Sequence, residues 1–274
     1  MTGKTEVNIL IAKVGSIRLN EIKVLADALT KKHRVTIVTM AEEASHRGQA
    51  FSFRGTPVRV NPFQYKDMQV YEFYNNPADA ISVMMCEIMA HRKPDLVICG
   101  ISNGVHMGQD IYCSSNIGMA MEAAFFDVPS IAVGIEYRPG GHSELELKNA
   151  ITFIEKNIEK FIALKLPKHT FLNINIPTVK TYKQLKGVKA ASMSRMSQLS
   201  AYVERTDANG DKYYWADNAE RKNTDTGEEY ARTWFDRGYI TIVPLNYDAT
   251  DYAAVKSWND RVIKDIKKDA GGEK

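Results

Sequence analysis

Short, continuous apolar runs that alternate with segments of helical period constrain this chain more than any other feature of its sequence. Val7 to Ala12 (VNILIA) is a continuous apolar run but for Asn8, as expected of a strand buried on both faces, and Asn20 to Lys32 then sets Ile22, Leu25, Ala26 and Leu29 on one helical face. The β-branched run Arg34 to Thr39 follows directly after His33 and completes a βαβ unit. Such units are right-handed and place their two strands side by side and parallel. The pattern recurs with Pro77 to His91 before Asp95 to Cys99 (DLVIC), Ile117 to Phe126 before Ser130 to Ile135, and Ser143 to Leu164 before Phe171 to Ile176. The expectation is an α/β chain with a Rossmann-like, doubly wound, mostly parallel sheet. Its ligand crevice should lie beyond the carboxyl ends of the strands.

Other segments depart from this rhythm. Ala41 to Arg54 reads as a polar loop, and Pro57 to Val60 and Met68 to Phe73 read as a small β extension. The methionines at 84, 85 and 89 fall on the apolar stripe of the helix that opens at Pro77 and read as core filling. After Pro177 the chain turns polar. Lys212 to Trp215 (KYYW) and the turn Ala208-Asn209-Gly210-Asp211 predict a β-hairpin arm. Tyr239 to Leu245 is a last apolar strand, followed by a helix from Tyr252 to Lys267 and a charged tail. The chain therefore divides into an α/β core (1–177), a β-hairpin or oligomerisation arm (178–237), and a closing strand, helix and tail (238–274).

With 274 residues, 44% of them hydrophobic, the chain can bury a large core. Its 36 Lys and Arg against 33 Asp and Glu give a net charge of +3, too thinly spread for a nucleic-acid-binding surface. Cys86, Cys99 and Cys113 are odd in number and include no C-x-x-C pair, which fits a reducing compartment, and Cys86 and Cys99 lie in apolar runs of the kind that become core. The first residues read as a strand and not as a signal peptide, and no run approaches the roughly 20 apolar residues of a membrane span. A cytoplasmic protein without membrane or nucleic-acid partners is expected.

The loop Gly100 to Asn116 (GISNGVHMGQDIYCSSN) holds the most chemistry. It follows a buried strand, carries three glycines and ends in Ser114, Ser115 and Asn116 at the start of a helix. Hydroxyls and amides there face the positive end of the helix dipole, which suits a phosphate. Ser115 or Asn116 equally suits the role of helix cap.

Several segments together carry a resemblance to a known family. They are ILIAKVGSIRLNEIKVLADAL, Ser45, NNPAD at Asn75 to Asp79, KPDLVICGISNGVHMGQDIYCSSNIGMAMEA, FLNINIP and GYITIVPLNYDATDY, spread from Val7 to Val255. In this order they resemble the SurE family (survival protein E), 5'/3'-nucleotidases that act on nucleoside monophosphates with a divalent metal. The resemblance implies a SurE-like fold and, if the chain is active, magnesium or manganese. It also implies a small phosphate ester or nucleoside monophosphate as ligand and a homo-oligomer, dimer or tetramer. In this family the arm reaches over a neighbouring subunit, so Tyr213, Tyr214, Trp215 and Trp234 are expected at an interface.

Residue by residue, the resemblance exposes a change. The family holds its metal with two adjacent aspartates after the first strand, a serine after the second, and an asparagine in an S-G-I-N-x-G loop. Here the first turn is Lys13-Val14-Gly15-Ser16, so Val14 and Gly15 stand where the aspartates are expected. Ser45 matches the serine, Ser102 stands at the asparagine position, and Asn103 follows it. Asp110 matches the second aspartate of a G-D-D pattern and His106 replaces an asparagine. The candidate metal ligands are thus Ser45, Ser102, Asn103 and Asp110. Neutral serine and amide ligands hold a divalent cation poorly without a carboxylate. Lys13, Ser16, Asn103, Ser114, Ser115 and Asn116 are the candidate phosphate contacts, with the Lys13 ammonium acting as a point charge. The catalytic residues are left unassigned. Three functions remain open: a weakly active nucleotidase, an inactive phosphate- or nucleotide-binding pseudoenzyme, and an oligomeric interaction subunit.

Overall fold

A computed structural model describes residues 6–15, 20–52, 55–195, 201–217 and 226–260. β1 (Asn8–Lys13) leads through α1 (Asn20–Leu29) to β2 (Arg34–Met40), which pairs with β1 in parallel, Ile9 opposite Val35 and Ala12 opposite Val38. β3 (Val60–Tyr65) and β4 (Met68–Phe73) form a hairpin whose second strand adds in parallel to β2. α2 (Pro77–Val83) runs into a π turn (Met84–Ile88), and β5 (Leu96–Asn103) pairs with the other edge of β1. α3 (Asp110–Cys113), α4 (Ser115–Phe125), β6 (Ser130–Ile135), α5 (Glu144–Ala163) and β7 (Thr170–Ile176) extend that flank. The chain then passes through β8 (Val188–Ala190), the hairpin β9 (Ala201–Thr206) and β10 (Lys212–Asp217), α6 (Ala231–Asp236), β11 (Ile240–Asn246) and α7 (Tyr252–Asp260). Among the described residues the main sheet has nine strands in the order β3-β4-β2-β1-β5-β6-β7-β11-β8, and β9 and β10 pair only with each other. The α/β, Rossmann-like expectation therefore holds.

The strand period of two explains why the first run is apolar almost throughout. Ile9 and Ile11 of β1 pack with Ile22 and Leu25 of α1 and Ile151 and Ile154 of α5. Leu10 and Ala12, on the opposite face, pack with Ile81 of α2, Met84, and Met119 and Ala123 of α4. Helices cover both faces, so β1 is apolar on both from Ile9 to Ala12 and carries polar residues only at its ends, Asn8 and Lys13.

The structure departs from the sequence reading in several places. The strand expected at Pro57 to Val60 lies at Val60–Tyr65, and Pro62 is accommodated because β3 is the sheet edge. The helix expected from Pro77 to His91 widens at Met84, where the Met89 N–H bonds the Met84 carbonyl at 2.7 Å. Met84 and Met85 are core as expected, but the same turn leaves Cys86 exposed, so of the three free cysteines only Cys99 is buried. β5 continues to Asn103, deeper into the expected loop, and α4 begins at Ser115 with Ser114 as its cap. β11 runs antiparallel to β7, Thr241 opposite Asn175 and Asn246 opposite Thr170. The expected helix beyond Asp260 and the tail 264–274 lie outside the described residues. No helix among the described residues is long and apolar enough to cross a membrane.

Candidate functional site

β1 and β5 lie side by side and parallel, so their carboxyl ends open on the same side of the sheet. β5 does not end cleanly. Its register with β6 pairs Gly100 with Val133 and then Ser102 with Gly134, leaving Ile101 outside the ladder. Glycine is required at 100, where φ is +127° and an added Cβ would lie 2.4 Å from the Val133 carbonyl oxygen. The Ile101 carbonyl is thereby released from the ladder, and Lys13 Nζ donates to it at 2.7 Å.

Lys13 is the last residue of β1 and is only 7% exposed. Burial pushes its ammonium below the ordinary lysine range, while the carboxylates of Glu21 and Glu43 pull the other way. Val14 beside it is buried in the α2–α4 layer, and Gly15 has φ +93°. Neither offers a ligand atom from its side chain. Ser16 lies outside the described residues.

The remaining candidates are drawn into bonds within the protein. Ser45 donates both its backbone N–H, at 2.8 Å, and its hydroxyl to the Glu43 carboxylate. Ser102 Oγ donates to the Gly104 carbonyl at 2.8 Å and lies 2.9 Å from His106 Nε2. The Asn103 amide makes a reciprocal pair with the Arg138 backbone, each bond 2.8 Å. The backbone carbonyl of Asp110, the first residue of α3, accepts from the Ser114 N–H at 2.8 Å. His106 is buried and held by its main chain, its N–H donating to Asn175 Oδ1 at 2.7 Å and its carbonyl accepting from Asn173 Nδ2 at 2.8 Å. Burial, with Lys13 and His46 nearby, pushes its imidazole down to about 4, so the ring is neutral at pH 7.

The start of α4 divides its labour. Ser114 accepts the Ile117 N–H at 3.3 Å, the capping role considered for Ser115 or Asn116. Ser115 is fully buried, donating to the Ala44 carbonyl and accepting the Arg47 N–H at 3.0 Å, so it ties the loop after β2 to the helix. Asn116 is buried, and its side-chain carbonyl has no hydrogen-bond partner among the described residues. Asp79 accepts the Ser52 N–H at 3.0 and 2.9 Å and completes a capping box with Asn76, which is a structural role.

Sequence reasoning missed two elements of the site. Glu43 reads as solvated surface from its Glu42-Glu43 pair and is exposed, and beyond that its carboxylate holds Ser45 and pulls on the charge of Lys13. Asn173 and Asn175 carried a legible signal, two amides on one face of an otherwise apolar strand, which only the fold connects to His106.

The donor set does not fit a divalent cation. Where the family resemblance places two carboxylates there are an isopropyl group and a glycine, and a buried ammonium stands beside them. No group of three His, Cys, Asp or Glu side chains converges into a metal cage among the described residues. With the adjacent carboxylate pair gone and a fixed positive charge beside its place, a set of serine and amide oxygens with Asp110 as its one anionic candidate offsets the dehydration of magnesium or manganese poorly.

The chain is similar to known proteins over most of its length. The family model described as Survival protein SurE matches residues 9–200. A 5'-nucleotidase SurE from Thermoanaerobacter sp. (strain X514) is 32% identical over 241 residues, covering 88% of this chain and 92% of the relative. The 5'-nucleotidase SurE of Caldanaerobacter subterraneus subsp. tengcongensis is 30% identical over 261 residues, covering 93% and 98%. Among solved structures, the SurE protein from Aquifex aeolicus superposes with a TM-score of 0.75 at 26% identity, covering 91% of this chain and 97% of that one.

Proposed function

The chain belongs to the SurE family, which supports a nucleotidase or phosphatase function, and on that premise we propose that its crevice binds nucleoside monophosphates or related small phosphate monoesters with Lys13, not a metal, as the resident cation. The observation that carries this reading is the Lys13 ammonium itself, buried at the end of β1 and set on the Ile101 carbonyl at 2.7 Å. A lysine ammonium is a compact point charge suited to a phosphate oxygen, and the dipole at the head of the eleven-residue helix α4 adds a second positive pole. The unpaired Asn116 carbonyl oxygen at that head can accept from a ligand hydroxyl.

Binding and turnover then separate. A bound divalent metal would lower the pKa of a coordinated water and supply the attacking hydroxide, but the residues at the family ligand positions do not fit one. An ammonium neutralises phosphate charge without generating a nucleophile. Hydrolysis is therefore weak, and the chain acts chiefly as a phosphate-ester-binding protein. The test is calorimetric titration of adenosine monophosphate into wild-type protein and Lys13→Met, with and without a chelator, alongside phosphate-release assays with magnesium or manganese. Saturable binding that is indifferent to chelator and at least tenfold weaker in Lys13→Met is the expected result. Rapid manganese-dependent turnover that chelator abolishes would overturn it.

We also infer a homo-oligomer built through the arm. A lone two-stranded hairpin is marginal in water. Among the described residues β9 and β10 pair with no third strand, yet carry exposed Tyr202, Tyr214 and Trp215. α7 adds exposed Tyr252 and Trp258. Aromatic clusters of this kind are enriched at protein interfaces.

A further inference from the structure

A second cleft lies at the opposite end of the sheet from Lys13. Its walls include Arg34, the first residue of β2, and Asn8, the first residue of β1, so the six-residue strand β1 separates it from the crevice by roughly 17 Å at strand rise. Its volume is about 320 Å³, at the lower end of the range of small-molecule sites. The π turn ends there, and Ile88, Met89 and Tyr71 form an apolar floor, packed from below against the α2–α4 layer and half-buried from above.

The rim is cationic. His91 and Arg92 are exposed, and their side chains make no hydrogen bond or ion pair among the described residues. Arg34 meets Glu6 at 3.4 Å, but both side chains are more than half exposed (57% and 58%), so this contact is weak and exchangeable. The carboxylate of Asp95 is already engaged, accepting the Asn8 N–H at 2.7 Å. Two guanidinium groups and an imidazole thus stand over an aromatic and thioether floor. Guanidinium groups bind planar carboxylates and phosphates in bidentate geometry.

We propose that this cleft is a second binding site, for a small anion carrying a flat apolar body, a carboxylate or phosphate attached to a ring. The anion is held by Arg34 and Arg92 and the ring lies on Tyr71 and Met89. The site is independent of the crevice, and its π turn is the kind of helix irregularity that recurs at ligand sites.

The probes are benzoate and phenyl phosphate, titrated calorimetrically into the full chain. Inorganic phosphate, which lacks the ring, and benzyl alcohol, which lacks the charge, serve as controls. Both aryl anions should bind saturably to wild type and to Lys13→Met. Added to Lys13→Met, which removes phosphate-ester binding at the crevice, Arg34→Ala/Arg92→Ala should weaken both at least tenfold with an unchanged circular dichroism spectrum, and each control should bind Lys13→Met at least tenfold more weakly than its parent probe. If only one probe binds Lys13→Met, it identifies the anion as carboxylate or phosphate within the same proposal. The proposal is overturned if neither probe saturates Lys13→Met, since the probes would then occupy only the crevice, or if the two arginine substitutions leave binding to Lys13→Met unchanged.

Discussion

At the turn where the related nucleotidases are expected to carry an aspartate pair, this chain has Val14 and Gly15, preceded by a lysine whose ammonium bonds a carbonyl 88 residues away in sequence. Restoring a metal site therefore means removing a cation as well as adding ligands. The triple variant Lys13→Asn, Val14→Asp, Gly15→Asp should gain a manganese-dependent rise in thermal midpoint that wild type lacks. A cation at about 100 times its Kd stabilises the folded state by about 2.7 kcal/mol. Without metal the variant should be less stable than wild type, because an aspartate replaces buried Val14 and another must adopt φ +93° at a strain cost of roughly 1–3 kcal/mol. A manganese-induced rise in the wild-type midpoint would contradict the reading. His106 sets a second test at this scale. Its imidazole is pushed from 6.5 down to about 4, so the unfolded chain takes up a proton near pH 6.5 that the folded chain refuses until about pH 4. Stability therefore falls as pH drops through that window, by about 3 kcal/mol at most. Urea melts at pH 7 and 4.5 should show this acid loss shrinking in His106→Gln, and an undiminished loss would argue against a neutral buried ring.

The crevice is shaped by elements that touch through glycine. α4 lies against the loop after β2 so closely that a Cβ on Gly118 would sit 2.3 Å from the Gly48 carbonyl oxygen, and Ser115 reinforces the contact through Ala44 and Arg47. Gly118→Ala should therefore destabilise the protein by about 1–3 kcal/mol in thermal melts, although alanine favours a helix more than glycine does, and a stabilised variant would refute the close approach. β5 and β6 show the same device, with Gly134 set beneath the Gly104 carbonyl so that the chain after Ser102 can fold over the sheet. The sequence shows these glycines in a loop and a small-residue helix, but not their partners. The helix starting near Ile117 and the strand starting near Asp95 were legible because period and length speak locally. The extension of β5 to Asn103 was not, because a bulge shifts the strand alternation and hides it.

Across the molecule, the core is built on one sheet while the hairpin β9–β10 stands on its own. If the arm joins two copies of the chain, Trp215→Glu combined with Trp258→Glu should lower the molar mass measured by light scattering and leave the circular dichroism of the core unchanged. An unchanged mass would remove the arm from the interface. The sequence by itself determined that the central strands run parallel with helices on both faces, because a strand covered on both faces carries an almost unbroken apolar run and a parallel neighbour needs a helical crossover. Together with the family resemblance, which places an aspartate pair at that turn, it also showed that Val14 and Gly15 stand there instead. Only the tertiary structure decided that Lys13 is buried against Ile101, that Glu43 engages Ser45, and that Asn173 and Asn175 hold His106. The Lys13 and His106 partners are set by sheet register and by a bulge, which join residues far apart in the chain and leave no periodic trace in the sequence, while the Glu43–Ser45 bond depends on a loop turn that has no period to read.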